Sequence, residues 1–481
     1  MGVQYLGLNS LFTSILQVLN LAELGVGSAM VYSMYKPIVE DDKKTICALM
    51  QLYKVYYRVI GVIIAAVGIA LTPFVPKLIK GNVPGGVNVY ILYLLNLSAT
   101  AFSYWLFAYK SSILQAHQRN DVISKITLCT NTIQYAIQIL VIWVLKNYYV
   151  YVLIALLVQM LTNVVTAVAS DKLYPNYKAN GKLSKEETKN TNKRIRDLFT
   201  SKIGAIIVNS ADTIVISAFL GLTALAIYQN YFFILTSVIG FVTVIFGSCT
   251  AGIGNSLIVE TKEKNFNDLK NLTLLISWIA GIGSCCFVGI YQPFMQWWVG
   301  EEYLLPFTAV ICLVAYYYIY EVNQLLNLYK DAGGIWHQDR FRPLITAMAN
   351  LVMNLIMVQS WGIYGVLLST VLSALFVGMP WLLHNLFTTI FNKNQLGSYL
   401  TNLLKYTVIA IESNVISMLI CNCINLGVFA TMLLRLIVCV IVPTISFIFA
   451  FGRSNEFKQS ILLVDSITKG KLKIKELFRV L

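Results

Sequence analysis

Apolar residues in this chain come in long blocks, separated by short polar stretches in which lysine and arginine are common. Thirteen blocks can be drawn: 7–34, 52–75, 89–110, 122–145, 148–169, 203–220, 225–259, 272–291, 304–328, 344–358, 363–391, 403–423 and 426–451. An α-helix needs about 20 mostly apolar residues to cross the hydrocarbon core of a bilayer, and most blocks meet that length. None alternates with the period of two that an outer-membrane barrel strand requires, so the blocks predict spanning helices. The expected fold class is an all-α polytopic membrane protein.

Inside several blocks the polar residues fall at helical spacing, three or four apart, and so share one helix face. The third block carries Tyr93, Asn96, Thr100 and Tyr104, and the fourth Thr127, Thr130, Asn131, Gln134 and Gln138. The sixth has Asn209, Thr213 and Ser217 with Asp212 beside them; the ninth has Tyr317, Tyr320, Glu321, Gln324 and Asn327. Polar stripes avoid lipid, so each predicts either hydrogen bonds to a neighbouring helix or a wall of a hydrated cavity. Several such stripes in one chain favour the cavity. Walls rich in tyrosine and amide suit a sugar, on which rings stack while amides and hydroxyls bond its hydroxyls.

Composition supports the bilayer as solvent: 57% of residues are hydrophobic and 12% charged, half the about one quarter usual in soluble proteins. The nine cysteines are scattered without metal-ligand spacing and read as small apolar core residues, and the three histidines lie far apart. The net charge of +14 becomes informative once placed by loop. One set of alternate loops and block edges holds 32 lysines and arginines, the other only Lys77, Lys80 and Lys146, and Arg435 falls inside the last block. The basic side is predicted to be cytoplasmic, and with it the C-terminal end. An odd number of spans would then put Met1 outside. With no signal-peptide pattern at the start, the reading is a missing first helix, giving 14 with both ends cytoplasmic.

Ionisable residues within spans are functional candidates by default. Asp212, near the middle of its block, and Glu321 are candidates for proton or cation coupling, Glu321 also for sugar binding together with Gln134 and Gln324. Glu23 lies near a turn and reads as a packing residue. Lys54 and Arg58, at i and i+4, form a basic face that either snorkels to headgroups or holds a diphosphate, with Arg58 able to bind it bidentately. Kinks are expected at Pro380 and Pro443. Gly25-Val26-Gly27-Ser28 and Gly252-Ile253-Gly254-Asn255 close corresponding blocks and suggest an internal repeat. The predicted organisation is a first lobe at 1–170, a basic loop at 171–202, a second lobe at 203–391, and two additional helices with a basic tail at 392–481. Repeated halves around a polar cavity are an architecture that rocks between inward- and outward-open states.

Tyr5-Leu6-Gly7-Leu8-Asn9-Ser10-Leu11-Phe12 followed by Leu19-Asn20-Leu21-Ala22-Glu23-Leu24-Gly25 resembles the second helix of Wzx-type polysaccharide flippases. The resemblance continues through Tyr35-Lys36-Pro37-Ile38, Ser210-Ala211-Asp212-Thr213, Gly252-Ile253-Gly254-Asn255-Ser256, Tyr329-Lys330-Asp331-Ala332-Gly333-Gly334 and Asp339-Arg340-Phe341-Arg342-Pro343. It covers essentially the whole chain. It implies the multidrug/oligosaccharidyl-lipid/polysaccharide exporter fold, two six-helix lobes plus two helices, in a bacterial cytoplasmic membrane. The implied cargo is an undecaprenyl-diphosphate-linked repeat unit, moved by alternating access for surface polysaccharide synthesis. Implied partners are membrane lipids, the polysaccharide polymerase and the chain-length machinery, and no cofactor is implied beyond H+ or Na+ coupling. By the same resemblance Lys36 joins Lys54 and Arg58 on a phosphate path, while Asp339, Arg340 and Arg342 form a cytoplasmic anchor or gate.

The rival within the superfamily is a cation-coupled multidrug exporter, which calls for a more apolar cavity. A membrane-bound polymerase or glycosyltransferase calls for a large external loop, and the longest here, 76–88 and 293–302, are short. The basic loop and the tail at 469–479 lie beside the membrane, where anionic headgroups rather than nucleic acid are the expected partner.

Overall fold

A computed structural model describes residues 2–467 apart from 24, 82 and 248. The basic tail at 469–479 and Leu24 lie outside the described residues, as does the side chain of Asn209. The helices in chain order are α1 (Val3–Leu19), α2 (Val26–Val39), α3 (Lys43–Leu71), α4 (Val89–Trp105), α5 (Ser111–Ala116), α6 (Asn120–Val144), α7 (Tyr148–Leu173), α8 (Lys185–Leu220) and α9 (Leu222–Gly247). They continue with α10 (Thr250–Val259), α11 (Lys262–Val299), α12 (Phe307–Ala332), α13 (Trp336–Asp339), α14 (Arg342–Ser373), α15 (Met379–Thr389), α16 (Gln395–Asn422), α17 (Val428–Phe451) and α18 (Asn455–Ile467).

Side-chain caps fix several starts. Asn88 and Asn147 each accept two backbone N–H groups at the heads of α4 and α7, and Thr261 caps α11. Ser184 and Glu187 form a reciprocal capping box on α8. Asp42 caps α3 through Thr45, whose hydroxyl and N–H hold the carboxyl below the usual carboxylate range.

Among the described residues nine helical stretches are long and apolar enough to cross a membrane. The number is ten if α4 and the segment Ala108–Ala116, bent by 49°, form one span. The chain is thus a multi-pass all-helical membrane protein. The difference from 13 blocks has a physical basis. The block 7–34 is broken into α1 and α2, each short of a full span. The apolar part of α8, Ser210–Leu220, is also short. One stretch, Trp336–Thr389, turns back on itself at Gly362 (φ 54°, ψ −134°), a backbone conformation that L side chains avoid. Asn350 donates to Thr370 at 3.1 Å, which a straight helix could not permit across 20 residues, so 342–361 and 363–373 lie side by side.

The chain divides into two compact units, Met1–Ala226 and Ile227–Leu481. The apolar half of α8 packs against α1 and α2 within the first unit, so the division falls at 226/227, whereas the sequence reading starts a second lobe at 203. The first unit buries Leu8, Leu11, Phe12, Met30, Met34 and Tyr93. The second is organised on α11, two thirds of whose apolar window is buried (67%) against 17% for α17. Helices α12, α16, α17 and α18 pack around it. Pro293 within α11 lacks an N–H, leaving the carbonyl of Gly289 without its helical donor. Arg435 of α17 fills that gap through Nη1 at 3.2 Å and reaches the Ile424 carbonyl through Nη2 at 3.2 Å. Arg435 therefore has a structural task within its span.

The two units share a local sequence echo. Tyr109-Lys110 precedes His117-Gln118 by six residues, and Tyr329-Lys330 precedes His337-Gln338 by the same interval. In each the lysine is ion-paired, Lys110 with Asp171 and Lys330 with Asp331 at 3.0 Å.

Candidate functional site

In the first unit the chain unwinds between α1 and α2. Asn20–Glu23 forms a single 3-10 turn, and Gly25 at φ 83° restarts the helix. The break swings the Glu23 carboxylate toward α3 and α4. Tyr57 donates to its Oε1, and Tyr104 to its Oε2 at 2.5 Å. Tyr53, one turn before Tyr57, donates to the Tyr57 hydroxyl at 2.5 Å. All three tyrosines are buried, while Glu23 itself is half-buried. The packing role expected for Glu23 gives way to a polar centre, which sequence reasoning missed. Of its partners, the sequence reading singled out only Tyr104, the last member of the stripe in the third block.

Lys54 and Arg58 lie on α3, with the Lys54 ammonium 5.9 Å from the centre of the Tyr109 ring and Arg58 exposed. Lys36 stands apart from this pair, in the last turn of α2, exposed and 3.7 Å from Glu40. Near them the polar start of α8 docks on the first unit. Arg194 lies over Tyr32 and donates to Ser33, and Tyr56 donates to Asn192. Asp212 is buried on α8 beside Ser210, Thr213 and Ser217, the last of which donates to the Leu78 carbonyl at 2.7 Å.

The stripe on α6 is a seam with α7. Thr162 donates to Thr130 at 2.8 Å, Gln138 to the Tyr151 carbonyl at 3.1 Å, and Gln134 to Gln138 at 3.3 Å. Gln134 thus sits in an interhelical network.

In the second unit the stripe on α12 divides. Tyr317 packs edge-on to Phe287, and Asn327 accepts from Arg342 at 2.8 Å. Between them, Glu321 is fully buried and neither carboxylate oxygen has a hydrogen-bond partner among the described residues. The same holds for Oδ1 of Asn323 and Oε1 of Gln324. Four buried acceptors without donors within one helical turn is a costly arrangement, at about 1–3 kcal/mol for each unsatisfied neutral group and more for a charge. Glu321 and Gln324, three residues apart, share one face of α12, while Asn323, two residues from Glu321, lies on another.

At the end of α13, Asp339 is 3% exposed and ties together α12, α13, α14 and α15. Arg342 binds it bidentately, with both hydrogen bonds at 2.7 Å, and Asn385 of α15 donates to it at 3.0 Å. Lys330 approaches to 4.0 Å. Arg340 is not part of this knot; it lies over the Phe341 ring, 4.5 Å from its centre.

The arrangement of helices is a polytopic membrane fold shared with solved membrane proteins. Among solved structures, the lipid II flippase MurJ in an inward closed conformation shares it with a TM-score of 0.64 at 14% identity, over 94% of this chain and 97% of that one. A multidrug resistance MATE family transporter of the MOP superfamily, in an inward-facing conformation, gives 0.63 at 14% identity over 83% and 92%. A MATE in the bent conformation gives 0.52 at 14% identity over 84% and 90%. No protein-family model matches the chain. No curated protein sequence matches it either.

Proposed function

We propose that this protein is a flippase that moves undecaprenyl-diphosphate-linked oligosaccharide repeat units across the bacterial cytoplasmic membrane by alternating access, for surface polysaccharide synthesis. The observation that carries the reading is the set of three buried acceptor oxygens on one face of α12, two of Glu321 and one of Gln324. A sugar offers hydroxyl donors in the density such a set requires, whereas an apolar drug offers few. Glu321 and Gln324 bind sugar hydroxyls, and Glu321 and Asp212 serve coupling by H+ or Na+. Lys54 and Arg58 receive the diphosphate at the basic end, with Lys36 on the approach. Asp339 and Arg342 anchor the α12–α14 turn, and Arg340 remains available at its surface. The basic ends and the C-terminus face the cytoplasm.

The test is reconstitution in liposomes with a fluorescent undecaprenyl-diphosphate oligosaccharide and a leaflet-specific quencher. Movement above that of empty vesicles, lost in Arg58→Ala and in Glu321→Gln, is the expected result. Absence of glycan movement together with proton-driven dye efflux from the same vesicles would replace the flippase with a multidrug exporter.

A further inference from the structure

Glu412 takes no part in the roles assigned above, yet it lies in the middle of a spanning helix. It falls midway along the apolar block 403–423, within α16, which is long and apolar enough to cross a membrane. An ionisable side chain at that depth is costly and normally turns into the bundle, where it finds a partner. Glu412 does neither. It is exposed, and among the described residues it has no hydrogen bond or ion pair. The face around it is patterned. Tyr406, Ala410, Ser413 and Ser417 form the buried face of α16, which packs chiefly on α11. On the outward face Val408, Glu412, Val415 and Leu419 follow at intervals of four, three and four residues, all exposed, with Ile411 beside them. That is the spacing of a two-helix seam. Lipid suits the apolar members of this face but not the acid. A facing helix suits both, provided that it brings a hydrogen-bonding group to the carboxyl at the same depth.

We infer that this face is the interface of a homodimer, in which the α16 helices of two copies pack side by side and Glu412 meets its own twin. Copies in one membrane share one orientation, so a two-fold axis between them runs along the membrane normal. Each residue on the seam then meets the same residue of the second copy at equal depth. A carboxyl suits that arrangement. In the acid form it carries one O–H donor and one carbonyl acceptor, so two of them close a pair that leaves neither oxygen unsatisfied. The second copy thus supplies the missing chemistry from the chain's own sequence. A single polar residue in an apolar seam also fixes the register and the number of helices that meet there. Lys405, one repeat before Glu412, is exposed at the edge of the block, where its stem can carry the charge into the headgroups and away from its twin. The inference goes beyond the flippase reading and stands independently of it.

The experiment mixes donor- and acceptor-labelled full chains in liposomes and reads energy transfer as the protein is diluted in lipid. The expected result is transfer above that of random collision, falling with dilution as a dimer equilibrium requires. Glu412→Leu should raise the dissociation constant about tenfold or more, although it makes the span more apolar. Glu412→Gln, whose amide also pairs a donor with an acceptor, should keep most of the association. Should Glu412→Leu fail to fold, Glu412→Lys takes its place, with the same loss expected because it sets two cations against each other. Transfer no greater than collision, or equal in the original chain and Glu412→Leu, overturns the proposal. A synthetic spanning peptide with a central lysine tests the other occupant. If copies stay apart while the full chain binds this peptide and Glu412→Leu does not, the face belongs to a basic helix of another protein and the homodimer is overturned. Glycan translocation that fails while the copies still associate would remove the flippase reading alone.

Discussion

Two carboxylates, Glu23 in the first unit and Glu321 in the second, are treated in opposite ways by the fold. Glu23 sits at a helix break, half-buried, with a phenol on each oxygen. Glu321 sits inside a continuous helix, fully buried, with no donor on either oxygen among the described residues. The fold completes the first and leaves the second for something else to complete. Burial alone therefore does not mark a working acid in a membrane protein. What marks it is whether the protein itself satisfies the group, and the two cases make different demands on substitution.

The comparison is best calibrated on a third carboxylate, Asp339, whose partners are fully charged. Asp339→Ala leaves the Arg342 guanidinium, 11% exposed, without its partner, and should cost about 3–5 kcal/mol, as breaking buried ion pairs does. Thermal unfolding in detergent would read this as the largest fall in Tm of the series. Glu23→Leu removes the acceptor of two buried phenols and should cost less, at about 1–3 kcal/mol for each orphaned donor, part of which water regains at the half-exposed site. An unchanged Tm would mean that the tyrosines find other partners, and the contrast between the two acids would collapse. Glu321→Met should have the opposite sign, raising stability by about 1–3 kcal/mol because an unsatisfied buried group is replaced by an apolar one, while translocation is lost. A destabilised Glu321→Met would show that Glu321 is satisfied after all.

Much of this fold was legible in the sequence, and for definite reasons. Apolar blocks report the bilayer directly, and the boundary between the blocks 344–358 and 363–391 falls beside the turn at Gly362. The stripes also read correctly as faces, since three- and four-residue spacing is a local property. What each face meets is not local. Glu23 finds its partners 34 and 81 residues away, and Asp339 finds Asn385 46 residues away. No periodicity encodes such pairings, so the α6 stripe read equally as a cavity wall or as hydrogen bonds to a neighbour, and Thr130 and Gln138 on it bond to α7. Asp339 closes α13 and Arg342 opens α14 three residues on, near enough for the resemblance to name them together and for the two side chains to meet. Arg340, their neighbour in sequence, points elsewhere for the same geometric reason.

The turn at Gly362 has a consequence for how the chain enters its membrane. Asn350 and Asn354 on one arm meet Thr370 and Ser369 on the other, and all four are buried, three of them completely. Presented to lipid one arm at a time, each would be an uncompensated polar group in hydrocarbon. Delivered together as a preformed helical hairpin, they satisfy one another before lipid closes around them. Biogenesis of this protein thus has a natural unit of insertion longer than a single helix, and the glycine at its tip makes that unit possible.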